Sequence, residues 1–318
     1  MSERTVIALG GNAISPAGKA GTAGEQTANL HRAMAQVAEL VAEGHTDLVL
    51  THGNGPQVGN VLIKNDLARD VVPPVPLDWC VAQTQATIGF TIANTLSFEL
   101  QQRGIERPVV PVVSRVLVSR DDPAFQDPTK PIGPYLNDPV EIDRRRDAGE
   151  DLVEVQGRGW RRVVPSPQPL ACVDRPAVEL LLADGAIVVA NGGGGIPVVA
   201  DGDGPLQGIE AVIDKDLAGS LLAKEIGATT FAILTDVPGV AVAFGTSEQR
   251  WLEEVSVEEL RGYEDAGEFT VGSMAPKVAA VRKFVDRSGG RGMIAALDDA
   301  RDALHGTVGT RVVRGRDG

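Results

Sequence analysis

Short apolar runs alternate along the chain with longer amphipathic stretches, and glycine stands at many of the junctions. Thr5–Leu9 and Asp47–Thr51 are apolar runs that are too short for a helix, so each predicts a buried strand. Between them, residues 25–43 place apolar side chains on one helical stripe and are followed by Gly44, which predicts an amphipathic helix with a glycine stop. This order of strand, turn and helix is typical of an α/β fold with a parallel sheet.

The same alternation continues through the rest of the chain and predicts one α/β body of two lobes. We expect further elements in this order: a helix over Leu77–Arg103, a strand at Val109–Val113, a helix near Pro176–Ala183, a strand at Ala186–Ala190, a helix over Lys215–Ile226, a strand at Phe231–Leu234, a helix over Pro276–Val285 and a strand at Met293–Leu297.

The pattern changes between residues 115 and 165. Five prolines fall within the 19 residues that start at Asp121, and neither a central strand nor a helix interior tolerates that density. Farther on, Val153–Val155 and Trp160–Val163 flank two glycines, which predicts a hairpin. We therefore expect residues 115–165 to form a lid that projects from the main sheet.

Composition and charge restrict the class of protein. The 318 residues are 43% hydrophobic and 23% charged, as in an ordinary globular protein, and the formal net charge of −13 disfavours nucleic acid and anionic membranes as partners. Cys80 and Cys172 stand alone, and no histidine has metal-ligand spacing, so we expect neither a disulfide framework nor structural zinc. Since no apolar stretch reaches the roughly 18 residues of a membrane span, we expect a cytoplasmic protein.

Glycine-rich turns supply the first candidate chemistry. Consecutive backbone N–H groups in such turns, followed by a helix N-terminus, bind phosphate oxygens. One such turn is more often only a tight connection, but several together favour a phosphate site. There is no GxxxxGK[ST] motif, and residues 53–59 read GxGxxxG, so a dinucleotide-binding dehydrogenase is only a rival interpretation. Four turns follow predicted strands: Gly10-Gly11-Asn12, Gly53-Asn54-Gly55, Gly192–Gly195 and Thr235–Gly239.

Three lysines supply the second candidate chemistry in a chain where only seven of the 30 cations are lysine. Lys130 lies in the proline-rich lid, and Lys215 lies between Asp214 and Asp216 at a strand-to-helix turn. Lys277 lies in the first turn of a predicted helix, where a cation costs up to about 1 kcal/mol unless an anion joins it. Taken alone, each of these three lysines and two aspartates could be a surface charge, and Asp214 could be a helix cap. Phosphoryl transfer would explain the positions of all five residues together.

Eight segments, spread in order over nearly the whole chain, resemble the carbamate kinases of the amino acid kinase superfamily. The resemblance implies a three-layer αβα fold with a mainly parallel central sheet, in which residues 1–205 bind carbamate, the lid 115–165 protrudes from them and residues 206–318 bind nucleotide. It also implies reversible phosphate transfer between ATP and carbamate, Mg²⁺ and a homodimer. The segments are VIALGGNA (6–13), THGNGPQVG (51–59), CVAQTQATIGF (80–90), DPAFQDPTKPIGP (122–134), WRRVVPSPQP (160–169), GGGGIPVV (192–199), EAVIDKDLA (210–218) and GSMAPKV (272–278).

The same resemblance implies a role for each candidate residue. Mg²⁺ would be held mainly by the ATP phosphates, with Asp216 as a possible ligand. Ala8 stands where many relatives that act on amino acids have a lysine, and the lid lysine would supply that charge. The implied catalytic residues are Lys130, Lys215, Lys277, Asp214 and Asp216; the implied phosphate- and substrate-binding residues are Gly10, Gly11, Asn12, Gly53, Asn54, Gly55, Gly193 and Gly194; the implied nucleotide-binding residues are Thr235, Asp236, Val237 and Met274.

Two departures from the family pattern leave alternatives. Pro238 stands where an acidic residue is usual, and Ala241 stands where a tyrosine is common near the base. The main expectation is a carbamate kinase that serves arginine and carbamoyl phosphate catabolism and yields ATP. The alternatives are another phosphotransferase of the superfamily and a nucleotide-binding regulatory protein without turnover.

Overall fold

The computed structural model describes residues 3–15, 21–202, 204–269 and 274–315 of the chain. In these ranges no helix combines the length and the apolar character that crossing a bilayer requires. The described helices are α1 Gly11–Ile14, α2 Ala23–Ala42, α3 Gly55–Ala68, α4 Leu77–Gln102, α5 Pro139–Asp147, α6 Arg175–Ala183, α7 Lys215–Glu225, α8 Val257–Asp265, α9 Met274–Ser288 and α10 Ala300–Leu304.

The described strands form one large sheet and three smaller ones. They are β1 Thr5–Leu9, β2 Leu48–His52, β3 Val109–Pro111, β4 Arg115–Leu117, β5 Lys130–Leu136, β6 Leu152–Val155, β7 Gly159–Val164, β8 Ala171–Cys172, β9 Ile187–Val189, β10 Ile196–Val199, β11 Gln207–Gly208, β12 Thr230–Thr235, β13 Val240–Val242, β14 Arg250–Leu252, β15 Glu254–Ser256, β16 Arg291–Ala296 and β17 Thr310–Val313.

The large sheet has eight strands in the order β15-β17-β16-β12-β1-β2-β9-β3. Neighbouring strands run parallel except β16 and β17, which confirms the predicted α/β fold with a mainly parallel sheet. β1 pairs over its whole length with β2 on one side and with β12 on the other. The carboxyl ends of these three strands therefore meet at one edge of the sheet, where the glycine turns begin.

Two hydrophobic cores cover the two faces of this sheet. Along β1, Val6 and Ala8 pack into the core beneath α6, α7, α8 and α9, whereas Ile7 and Leu9 pack into the core beneath α2, α4 and α10. All four side chains are fully buried. Burial of a large apolar side chain stabilises a fold by about 1.5–3 kcal/mol, so β1 is anchored from both sides. The three-layer αβα arrangement follows from this alternation.

The proline-rich segment contains regular structure, contrary to a simple interpretation of its prolines. β5, β7 and β6 form a separate antiparallel sheet, with β5 and β6 at its edges. Pro131 and Pro134 lie in β5, where an edge strand tolerates missing N–H donors. The register shifts between Ile132 and Tyr135, and Gly133 has a φ of +67° there. The predicted hairpin is confirmed as β6 and β7, whereas β4 lies in a four-stranded sheet with β10, β11 and β8.

Other element boundaries differ modestly from the predictions. α2 begins two residues earlier because Thr22 and Glu25 form a reciprocal capping box. α9 begins at Met274, ahead of Pro276, and continues to Ser288. α3 was not predicted, since its first residues were assigned only to the second glycine turn and residues 60–68 were assigned to no element.

Candidate active site

The glycine turns approach one another at the carboxyl edge of the large sheet. A Cβ atom added to Gly53 would lie 3.2 Å from the Gly11 Cα and 3.2 Å from the Lys215 Cδ. A Cβ on Gly193 would overlap the amide group of Asn54. Gly193 also has a φ of +67°, which L side chains rarely adopt. Close approach and backbone conformation therefore both require glycine at position 193, and close approach leaves little room for a side chain at position 53.

Buried amide and hydroxyl groups fix the third turn against its neighbours. The Gln85 Nε2 donates hydrogen bonds to the Gly192 carbonyl at 2.9 Å and to the Ser114 carbonyl at 3.1 Å, and its Oε1 accepts from the Ser114 N–H at 2.8 Å. The Thr51 Oγ1 donates to the carbonyl of Asn191 at 3.0 Å. These groups are satisfied in the interior, so they hold the turn in one position.

Asp214 links the start of α7 to the three-stranded sheet. Its Oδ1 caps the helix by accepting hydrogen bonds from the N–H groups of Asp216 at 3.0 Å and Leu217 at 3.3 Å. Its Oδ2 accepts a hydrogen bond from the Lys130 Nζ at 2.9 Å. One carboxylate is thus both the helix cap and the partner of the lysine on β5.

Asp216 links the first turns of two helices. Its Oδ1 is bonded to the ammonium group of Lys215, and its Oδ2 lies 3.4 Å from the Nζ of Lys277 on α9. The Asp216 side chain is only 3% exposed, whereas those of Lys215 and Lys277 are 15% and 16% exposed. The structure therefore brings together all five residues that were expected to carry the chemistry.

The network holds three ammonium groups against two carboxylates. Burial of Asp214 favours the neutral acid, but the ammonium groups of Lys130 and Lys215 outweigh it and hold the pKa of this carboxyl below its usual range. Asp214 is therefore an ionised partner of Lys130 at neutral pH. One positive charge is in excess, and two of the cations lie at helix N-termini, so the site is suited to an anion.

A cavity of about 240 Å³ lies between the glycine turns and the three-stranded sheet, and the network faces it. Sequence reasoning did not select Arg161, which comes from β7 and donates a hydrogen bond from its Nε to the Gly133 carbonyl at 3.1 Å. The one feature of the sequence that pointed to Arg161 was its place in the segment WRRVVPSPQP. The predicted residues that line the cavity are Gly11, Gly53, Asn54, Gly55, Lys130, Gly193, Asp214, Lys215, Asp216 and Lys277.

His52 directly precedes the second glycine turn and is almost completely buried. Burial, together with the nearby charge of Lys215, lowers its pKa to about 4, although a contact with the Gly53 carbonyl acts in the opposite direction. The imidazole is therefore neutral at pH 7. It fills the space that Gly192 leaves open, since a Cβ on Gly192 would overlap the ring.

The predicted nucleotide-binding residues lie beside the network rather than in it. Thr235 ends β12, and its Cα lies 3.4 Å from the position of a Cβ on Gly10. Asp236 is exposed and accepts a hydrogen bond from the Thr235 Oγ1 at 3.0 Å, and Val237 is half-buried. Met274 is the first residue of α9 and packs against the core beneath α6, α7, α8 and α9. The lining of the lysine cavity, as far as it is described, does not include these residues, and the Asn12 side chain lies outside the described part of the structure.

The described residues offer little to a resident metal ion. Within the described ranges, no three His, Cys, Asp or Glu side chains are grouped so that they could hold one. The two carboxylates of the cavity, Asp214 and Asp216, already accept hydrogen bonds from lysines. A metal that works in this cavity would need most of its ligands from a bound substrate.

Comparisons with known proteins extend over almost the whole chain. The model of the amino acid kinase family matches residues 3–296. A carbamate kinase of Thermococcus kodakarensis is 47% identical, with 98% of this chain and 99% of that protein covered, and one of Pyrococcus furiosus is 46% identical, with 98% and 100% covered. The solved structure of carbamate kinase from Giardia lamblia bound to AMP-PNP has a TM-score of 0.92 at 37% identity, with 99% of this chain and 100% of that chain covered.

Proposed function

The chain belongs to the amino acid kinase family, and on that premise we propose that it is a carbamate kinase that catalyses the reaction ATP + carbamate ⇌ ADP + carbamoyl phosphate. The observation that carries this proposal is the convergence of lysines from three distant segments, Lys130, Lys215 and Lys277, on one cavity beside glycine turns. Phosphoryl transfer requires positioned donors and fixed positive charge around the migrating group, and this cavity offers both.

The two substrates would approach the cavity from different parts of the chain. We assign carbamate to the glycine turns of residues 1–205 and to the three-stranded sheet within the predicted lid, residues 115–165, whose β5 contributes Lys130. Nucleotide would bind residues 206–318, beside Thr235–Val237 and Met274. The solved relative from Giardia lamblia bound to AMP-PNP supports a nucleotide site in this fold.

The reaction itself would be a direct in-line transfer of the γ-phosphoryl group from ATP to a carbamate oxygen. Lys215 and Lys277 would stabilise the charge on the transferred group, and their helix N-termini add to that field. Asp216 would orient both ammonium groups, since it contacts each of them. Lys130 would stabilise the acceptor from the other side, held in place by Asp214. Backbone N–H groups of the glycine turns would bind the oxygens.

We propose that Mg²⁺ enters the site as part of the nucleotide substrate. It would neutralise phosphate charge, and the ATP phosphates would be its main ligands. Asp216 was a possible ligand by resemblance, but its two oxygens already contact lysines, so we assign it to lysine orientation instead.

The proposal includes a homodimer in the cytoplasm that acts in carbamoyl phosphate and arginine catabolism. Exposed aromatic side chains on α4 support self-association, because Phe90 is 62% exposed and Phe98 is 48% exposed on this one helix. Large apolar side chains that are exposed together are typical of a protein interface.

The deciding experiment is a coupled assay in which the purified chain receives ADP, Mg²⁺ and carbamoyl phosphate, and ATP is detected with luciferase. We expect ATP formation that depends on both substrates. Nucleotide binding without ATP formation would instead favour the regulatory alternative. Activity with acetyl phosphate but not with carbamoyl phosphate would favour another phosphotransferase of the superfamily.

A further inference from the structure

A second cavity, of about 310 Å³, lies on the outer side of α7 and α9 and is closed by the segment 168–170. Its lining shares no residue with the described lining of the lysine cavity, so it is a separate site. Leu217 and Leu221 form an apolar floor, and the polar side chains of Gln168 and Ser220 also face it. The volume is at the lower end of the roughly 300–1,000 Å³ that is typical of small-molecule pockets.

Three cations line this cavity, and none of them has a carboxylate of the described residues within ion-pair distance. Lys224 comes from α7, and Lys283 and Arg287 come from α9. The Lys283 Nζ lies 3.3 Å from the Gln168 Oε1, which is a neutral acceptor. In the described ranges, no ion pair within 4.0 Å joins any of the three to an acidic residue, whereas the adjacent Arg282 pairs with Glu264. Their mutual repulsion is therefore not neutralised at short range.

The pKa of the Lys283 ammonium group reflects both its burial and its charged neighbours. Burial, followed by the charges of Arg287 and Arg282, lowers this pKa and outweighs the opposing charges of Glu264 and Asp214. An arrangement of this kind is unfavourable in the empty protein and becomes favourable when an anion binds. It is also unusual for this composition, since the chain has only seven lysines and a net charge of −13, yet two of those lysines face this one pocket.

We propose that this pocket binds a phosphate group, either free phosphate or the phosphate of a small metabolite. Lys283 and Arg287 bind the phosphate oxygens, with Lys224 at the rim, as cations bind phosphate in charge-assisted hydrogen bonds. The apolar floor of Leu217 and Leu221 accommodates the carbon atoms of a phosphate ester. The site is independent of the reaction proposed for the lysine cavity.

The test is a titration with inorganic phosphate followed by the amide NMR shifts of Gln168, Ser220 and Lys224, at constant ionic strength. It is done in the full-length Lys215→Ala, Lys277→Ala chain, so that phosphate binding in the lysine cavity is suppressed. We expect saturable shifts at these three amides. Adding Lys283→Ala and Arg287→Ala should weaken binding at least tenfold, and adding Arg301→Ala, a remote cation on α10, should leave it unchanged.

Thermal unfolding shows whether a loss of phosphate binding comes from the missing cations or from a damaged fold. Without phosphate, the chain with Lys283→Ala and Arg287→Ala should unfold at the same temperature as its parent or at a higher one, because a repulsive pair has been removed. Shifts that do not saturate, or equal affinity with and without Lys283 and Arg287, would overturn the proposal. A parallel titration with phenyl phosphate identifies the source: tighter binding supports a phosphate ester, and equal binding supports free phosphate.

Discussion

At the scale of single residues, the positions of the lysines within their helices carry most of the chemical information. Lys215 and Lys277 both lie in first turns, where the helix dipole disfavours a cation. Asp216 compensates for both, and it is nearly completely buried. The arrangement concentrates positive charge at a point where an anionic group can be received.

Lys277→Ala tests this arrangement directly. We expect kcat to fall by about 10²–10³, equivalent to about 2.7–4 kcal/mol, because a preorganised donor to the transferred group is lost, while nucleotide still binds. Steady-state kinetics and ADP titration measure the two effects. Lys64→Ala, on the exposed side of α3, is the matched control and should behave as the parent chain. An unchanged kcat in Lys277→Ala would remove this lysine from the mechanism.

Asp214→Asn separates the charge of this residue from its role as a helix cap, since asparagine caps helices about as well. The folded chain binds a proton at Asp214 less tightly than the unfolded chain does, because its pKa is lowered from 3.8. The stability that this charge contributes is therefore fully present above the ordinary pKa and is lost as the pH falls through the folded value.

We accordingly expect Asp214→Asn to lower the free energy of unfolding at pH 7, and we expect the difference from the parent to shrink below about pH 4. Urea unfolding at several pH values measures it. Asp201→Asn, in an exposed ion pair with Arg120, is the control and should show little effect at any pH. A difference that stays constant down to pH 3 would contradict the assignment.

At the scale of elements, the third glycine turn has no room for a side chain at Gly193. Gly193→Ala should destabilise the chain by more than about 2 kcal/mol, since it adds a collision with Asn54 to the strain of a positive φ. Gly157→Ala is the matched control, because its φ of +74° is similar but nothing lies within 4 Å of the added atom. Denaturant unfolding compares them, and equal losses would mean that strain alone matters.

Some elements could be predicted from the sequence because their signals are local. β1, β2 and α2 follow from apolar spacing, and α7 follows from Asp214 as cap and Gly227 as stop. α3 was missed because its apolar pattern is interrupted and its start coincides with a glycine turn. β5 was missed because its prolines are compatible only with an edge strand, and edge position is set by pairing with β7 rather than by local sequence.

The candidate site was predictable to a similar extent. Lys130, Lys215 and Lys277 could be found because lysine is scarce and each stands in an unusual local setting. Arg161 could not be found in this way, since arginine is common in this chain and only the register of β7 against β5 decides which arginine faces the cavity. The partner of each lysine was also not predictable, because it depends on how distant helices pack.

At the scale of the whole molecule, the cavity lies where three parts of the chain meet. The glycine turns come from residues 1–205, Lys215 and Lys277 come from residues 206–318, and Lys130 comes from the three-stranded sheet. The contact between Lys130 and Asp214 joins that sheet to the main body at the cavity. The position of the sheet therefore determines whether the third lysine is present at the site.

Lys130→Ala examines this dependence. We expect kcat/KM for carbamoyl phosphate to fall at least tenfold while the Kd of ADP is unchanged, because the lysine is assigned to the acceptor side. Lys130→Arg should recover little activity, since a planar guanidinium does not reproduce the compact ammonium. A parallel loss of ADP affinity would assign the lysine to the nucleotide instead.

Asp214 binds both the Lys130 ammonium group and the N-terminus of α7, and this pair of contacts affects how an acceptor could enter the site. When an incoming anion draws the Lys130 ammonium toward itself, the carboxylate that is left behind does not become an isolated charge. It remains hydrogen-bonded to two amides at the positive end of α7, which favours negative charge there. The N-terminus of α7 therefore stabilises the Asp214 carboxylate when the Lys130 ammonium group moves to the incoming anion.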